Sequence, residues 1–392
     1  MAARSIILFV LVSVVSPLAI AGDLTPPGAP APTMKTLQEV YDKAALAETR
    51  TPISSLPFTI TQPGSYVLTT NLGPAAEDTD GITITVDNAT IDLNGFALIG
   101  AGKSTGASGS GITAPSTVKG IVIRNGTIRD WCRHAVGAYY FENSQFEGLR
   151  CLDNGGVAIY VGENNLVRSN ECRSNGQTGI LTGHGSRITD NTCSENGDYG
   201  IGASGSCYVS GNTCLNNANR GIIASSNSII VANTCQTNSD GIMAGNHCVI
   251  SNNSCSGNTW NGISVIGNIG TCVQNNTASN NRVGIYLSGC DLVSGNVCQG
   301  NWEAGIRVGR NSRVVNNVCS HYSPTVTGTA IEVLNSGCCV EANLVTNYSI
   351  GIASNPATGN YFASNRAHGN VTNYDIAVGN TQGTGDLANV SF

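Results

Sequence analysis

The sequence predicts an all-β chain wound as a single-stranded right-handed parallel β-helix, a solenoid of about 21 residues per coil, and recurring columns of three kinds carry that expectation. Cys151, Cys172, Cys193, Cys214 and Cys235 stand 21 residues apart, and Cys255, Ala278, Cys298 and Cys319 continue the phase. Two residues before this column lies asparagine, at 170, 191, 212, 233, 253, 276, 296, 317 and 343. Three residues after it lies another, at 154, 175, 196, 217, 238, 258, 281 and 301. A Gly-Ile pair recurs at Gly179, Gly200, Gly221, Gly241, Gly262, Gly284, Gly305 and Gly351. Within each unit the alternation of Ile82, Ile84 and Val86, or of Ile306 and Val308, has the period of a half-buried strand. Leucine-rich repeats have a similar length but need a leucine framework, and leucine is sparse here.

Taken in chain order, the first element is a leader. Arg4 supplies a basic start, Ile6 to Val15 an apolar run, and Ala19-Ile20-Ala21 the small residues of a cleavage site, so residues 1–21 read as a signal peptide and the mature chain begins at Gly22. The apolar run is too short to span a bilayer, and no later segment has spanning length. The expected location is secreted, periplasmic or cell-surface, with no membrane span after signal removal. Residues 22–50 form a linker, Pro-rich over Thr25 to Thr33, followed by a short capping helix in which Met34, Leu37, Val40, Tyr41 and Ala44 share one face. A solenoid exposes its interior at its first coil, and such a helix suits the role of a lid. Residues 51–392 are then the β-helix, with roughly thirteen coils between Ile82 and Val390 and a length of about 60 Å at the parallel-strand spacing.

Composition agrees with short strands and tight turns: charged residues are 11%, aromatics 6%, and there are 48 glycines. A net charge of −6 with four lysines leaves no basic stripe for phosphates, which excludes nucleic acid as an expected partner. The asparagines read as structural, tolerating left-handed turns and hydrogen-bonding from coil to coil. The column cysteines read as small buried hydrophobes, because Ala278 replaces one without loss of phase and no Cys-x-x-Cys spacing occurs. Cys338 and Cys339 cannot both point inward, so one of them is expected to be exposed or paired.

The repeat Asn-x-Cys-x-x-Asn followed by Gly-Ile resembles, over roughly residues 80 to 390, the parallel β-helix repeats of the pectate-lyase-like superfamily. It is most like the carbohydrate-binding and sugar-hydrolase type repeats that also occur in a periplasmic copper-maturation family. The resemblance implies a secreted or surface protein that binds polysaccharide or cell-surface glycan, with a structural or adhesive role, or else degrades it as a lyase or glycoside hydrolase. The motif consists of core and turn positions and carries no activity of its own.

Residues able to do chemistry lie off the columns. Nine positions before the cysteines stand Glu142, Glu163 and His184 in successive coils, an outline of acid/base catalysis or else a solvated turn edge. Gly183-His184-Gly185 is similar to the Gly-His-Gly motif of polygalacturonases, whose paired aspartates are replaced here by Glu163-Asn164-Asn165. For substrate binding the candidates are Tyr139, Tyr140 and Tyr160, as outward rings at strand positions, with Arg133, His134 and Asp153. If Cys132 belongs to the cysteine column, His134 lies one coil below Asp153. Calcium is the cofactor a lyase would use, and Asp78 and Asp80 in Glu77-Asp78-Thr79-Asp80-Gly81 are its candidate ligands, a solvated turn being the alternative. Residues 129 to 187, where charge and aromatics interrupt the repeat, are the expected active stretch.

Overall fold

The computed structural model describes residues 37–39 and 49–391, apart from 75, 77, 103–107, 268, 324–326 and 355. The chain divides into two units, residues 1–49 and 50–392. In the first, Leu37, Gln38 and Glu39 are helical and exposed. The leader, the Pro-rich run and the rest of the expected capping helix lie outside the described residues.

The second unit is a parallel β-helix. Strands run from Thr51–Ile53 to Val390–Ser391, and two large sheets of 28 and 15 strands hold nearly all of them. A regular coil gives one strand to the 15-stranded sheet, such as Ile159–Val161, then two to the 28-stranded one, such as Leu166–Arg168 and Glu171–Arg173. Pairing is parallel and in register from coil to coil, with Ile159 on Ile180, Val167 on Ile188 and Cys172 on Cys193. Fifteen strands at the ~4.8 Å spacing make the smaller sheet about 70 Å tall.

Three inward columns fill the interior. Ile180, Ile201, Ile222 and Ile242 come from the smaller sheet, Val167, Ile188, Val209 and Ile230 from the first strand of the larger, and the cysteines from its second strand, all fully buried. Two walls thus carry large β-branched side chains and the third a small one, which keeps a narrow interior filled without strain.

The asparagines form hydrogen-bonded ladders at two turns. The Asn191 side-chain oxygen accepts from both the backbone N–H and the amide of Asn170, at 3.0 and 2.9 Å, while the Asn170 amide also donates to the Phe146 carbonyl at 3.0 Å. Each rung therefore satisfies a buried turn that water cannot reach. The left-handed backbone expected of these asparagines belongs instead to the residue before them: Ser169, Asp190 and Ala232 have φ of 55°, 58° and 56°. The ladder residues are selected for their amides alone.

Aromatics take two places in the line of the ladder that includes Asn154 and Asn175. Trp131 stands one coil before Asn154, to whose side-chain oxygen its backbone N–H donates at 3.2 Å, and its ring fills the interior. Glycine at 81 and 111 makes room, since a Cβ there would lie 2.8 and 3.1 Å from the indole. Beyond Asn301 the buried Tyr348, three residues after Val345, takes a place in the line, and its backbone N–H donates to the Asn370 side-chain oxygen at 2.9 Å, so asparagine resumes after it.

A third ladder follows the smaller sheet. Ser144, Asn165, Ser186, Cys207, Ser228, Cys248, Thr271, Asp291, Ser312, Cys338 and Asn360 are buried in one turn line. Side-chain oxygens in this line accept backbone N–H groups from the preceding coil, as Ser228 does from Cys207 at 3.2 Å and Asn360 from Cys338 at 2.8 Å, while the thiols of Cys207 and Cys338 donate to the Gly183 and Gly309 carbonyls. All fifteen cysteines are free thiols, with Cys338 buried and Cys339 half-buried.

Candidate functional site

Two irregularities near the start of the array shape a depression across the outer face of the 15-stranded sheet. Ala138 pairs with Val161, 23 residues on, whereas Gln145 pairs with Leu166, 21 residues on. Two extra residues therefore lie in the turn after Val136–Ala138, and Tyr139 and Tyr140 occupy it, each 47% exposed. Gly162 underlies this bulge, where a Cβ would meet the Tyr139 carbonyl at 2.2 Å. The tyrosines expected on strand positions thus divide: Tyr160 is on the strand Ile159–Val161, and Tyr139 and Tyr140 are on the turn.

The second irregularity is Gly137, the register partner of Tyr160 in the preceding coil. A side chain there would collide with the His134 ring, whose Cβ and Cδ2 lie 2.5 and 2.7 Å from the position of a Cβ. The bare strand lets the imidazole fold inward. Its centroid lies 5.7 Å from that of Tyr160, and Tyr139 lies 5.9 Å from Tyr160 on the other side. Arg133, His134, Tyr139, Tyr140 and Tyr160, with Thr113, Ala114, Gly137 and Ala138, line a depression of about 410 Å³, within the range of small-ligand pockets.

His134 is fixed in one protonation state. Its Nδ1 accepts the Val157 backbone N–H at 2.9 Å, which puts the proton of the neutral ring on Nε2. Burial, and then the neighbouring Arg133 charge, lower its pKa to about 4. At neutral pH it is a hydrogen-bond donor. Among the described residues no carboxylate lines the depression.

Glu142, Glu163 and His184 stack in register at the turn that follows the sheet, outside the depression. Glu142 forms an ion pair with Lys119 at 3.4 Å, Glu163 is half-buried, and His184 is exposed with its Nδ1 against Gly205 of the next coil. None of the three lines the depression.

The placement of His134 below Asp153 does not hold. Ile128, not Cys132, pairs with Cys151, and the Cys132 thiol contacts the Gly102 carbonyl at 2.8 Å. His134 accordingly meets Val157, while Asp153 is exposed in the turn after Gln145–Leu152 and does not line the depression. Asp78 and Asp80 accept backbone N–H groups of Ser108 and Ser110 at 2.9 and 2.8 Å. Glu77 lies outside the described residues. Among the described residues no group of three or more His, Cys, Asp or Glu side chains is placed to hold a metal ion.

The fold defines the class: this chain is a parallel β-helix repeat protein. The model of the family NosD, described as periplasmic copper-binding protein, matches residues 81–244. No curated protein matches the sequence. Solved structures similar to the chain include the A-module of a mannuronan C-5 epimerase, AlgE6, of Azotobacter vinelandii, at 14% identity and a TM-score of 0.47, covering 84% of this chain and 91% of that one. The periplasmic alginate epimerase AlgG is similar at 15% identity and a TM-score of 0.48, covering 81% and 79%. The Dettilon tailspike protein is similar at 16% identity and a TM-score of 0.44, covering 80% of this chain and 62% of that one.

The residues present do not fit a copper ion. Thiolates are the natural ligands of Cu(I), and the column thiols point into a sealed interior where burial pushes Cys172, Cys193, Cys235 and Cys319 well above their usual range. They are packing groups in a line, and stacked in file they do not surround a metal ion. Among the described residues, no helix is long and apolar enough to cross a membrane.

Proposed function

We propose that this chain is an exported protein that binds polysaccharide in the depression over Gly137. The observation that carries the reading is the lining itself: three tyrosine rings, one arginine and an imidazole held as a neutral donor, with no carboxylate among the described residues. Tyrosine faces accept the C–H side of a sugar ring, while Nε2–H of His134 and the Arg133 guanidinium serve its hydroxyl or carboxyl oxygens. The leader-like residues 1–21 and the word periplasmic in the matching family's description support export.

Catalysis is poorly served here. A general acid or base needs a group that changes protonation near the working pH and reaches the bound ring. His134 stays neutral, and the Glu142, Glu163 and His184 row lies on a separate edge with Glu142 bound to Lys119.

Affinity electrophoresis through gels cast with alginate, pectate or xylan tests the reading. At least one polymer should retard the protein, and Tyr160→Ala should weaken that binding about ten-fold or more, the loss of ~1.4 kcal/mol expected for a central aromatic contact. No retardation by any of the three, or equal retardation of the variant, contradicts it.

A further inference from the structure

The same edge of the rod carries a second aromatic group, which the depression does not use. Trp260 and Trp302 are 50% and 52% exposed, whereas the remaining tryptophan, Trp131, is buried. Arg282 lies between the two, its guanidinium carbon 4.4 Å from the Trp260 ring centroid and 5.5 Å from that of Trp302. Arg282 is also bound to Glu303, which pairs with Arg307 at 2.9 Å, and Arg307 pairs in turn with Glu332, so two cations and two anions cancel locally and the indoles are held in place. A stack of this kind holds two half-exposed ring faces in fixed positions, ready to meet an apolar sugar face.

Its position in the repeat is informative. Arg133 stands three residues before Val136, and Trp260 stands three before Ile263; Val136 and Ile263 belong to one register column of the 15-stranded sheet. Trp260 therefore occupies the corner position of Arg133, five coils beyond Tyr160, about 24 Å along the axis at the parallel-strand spacing. In the coil before it that position is the small Ser239, whose N–H bonds Asn219 in turn. Beside Ser239, Asp240 accepts from the Asn261 amide at 2.8 Å and pairs with Arg220 at 3.5 Å. One indole thus borders a shallow polar floor without net charge, a surface suited to an uncharged sugar face with its hydroxyls directed down.

We infer that Trp260, Arg282 and Trp302 form a second binding station for the polysaccharide held at Tyr160, so that one linear chain lies lengthwise along this corner. The inference rests on the function proposed above. A chain long enough to reach both stations gains the second contact without a further loss of freedom, and its affinity exceeds that of a short piece by on the order of 10²-fold.

Titration of the full chain with short and long oligomers of alginate, pectate and xylan, on either side of the ~24 Å span, tests it. Long oligomers of the polymer that binds should be on the order of 10²-fold tighter than short ones. Trp260→Ala combined with Trp302→Ala should remove that advantage, bringing long oligomers down to the affinity of short ones. Acrylamide quenching of the unaltered protein gives a second readout, because the emission accessible to quencher comes from these two indoles: long oligomers should protect it and short ones should not. Equal affinity for short and long oligomers, or an advantage that survives the double substitution, overturns the second station while leaving the first intact. Absence of binding by any oligomer overturns both.

Discussion

Asp291 occupies a place in the third ladder where its neighbours Thr271 and Ser312 carry neutral hydroxyls. One of its oxygens accepts the Thr271 N–H at 2.9 Å and the other, though buried, has no partner. Burial raises its pKa to about 6. Because the native state holds a proton that the unfolded chain has already lost, stability is unaffected below about pH 4 and falls as pH rises toward 6, by on the order of 1–2 kcal/mol once partial screening by water is allowed for. Asp291→Asn supplies a neutral amide of the kind that Asn165 and Asn360 place in the same line. Urea unfolding should find that variant more stable than the parent at pH 7 and equal to it near pH 4. An unchanged difference across that range would show that the carboxyl is satisfied in some other way. This ladder was not legible as a column of letters, since Ser, Asn, Cys, Thr and Asp alternate in it; what they share is a small polar side chain at a turn.

At the scale of the element, the strands and the two asparagine ladders could be read from the sequence because each coil repeats one letter at one place. The depression could not, because it arises where the repeat slips. The two-residue insertion at Tyr139 and Tyr140 moves the phase, and counting from Cys132 set His134 against the wrong neighbour; only the pairing of Ile128 with Cys151 restores the register. Gly137 gave no signal among so many glycines, yet its missing side chain admits the His134 ring. The cysteines divide in the same manner by their place in the coil. Cys132, Cys272, Cys290 and Cys339 are half-buried, and the remaining eleven are buried. A maleimide reagent should therefore modify at most these four in the native protein and all fifteen after denaturation. Cys339 should react slowest of the four at neutral pH, since burial, followed by Glu341, pushes its thiol up to about 11. Native labelling of Cys193 would contradict a packed interior.

Over the whole β-helix, the ladders and inward columns account for most of the Cys and many of the Asn, and what remains for function is distributed along one sheet and its two edges. The aromatic depression and the Glu142, Glu163 and His184 row lie close together yet face different problems: one presents rings and fixed donors, the other charges at a turn. Binding and catalysis are therefore separable by substitution. The most direct test follows one polysaccharide that retards the protein, measuring its affinity by calorimetry and the appearance of new reducing or unsaturated ends over the same interval, for the unaltered chain and for Tyr160→Ala, Glu163→Gln and His184→Ala. Binding that is lost in Tyr160→Ala, retained in Glu163→Gln and His184→Ala, and unaccompanied by new chain ends is the predicted result. New chain ends that disappear in Glu163→Gln or His184→Ala would contradict it and place the chemistry on the turn edge.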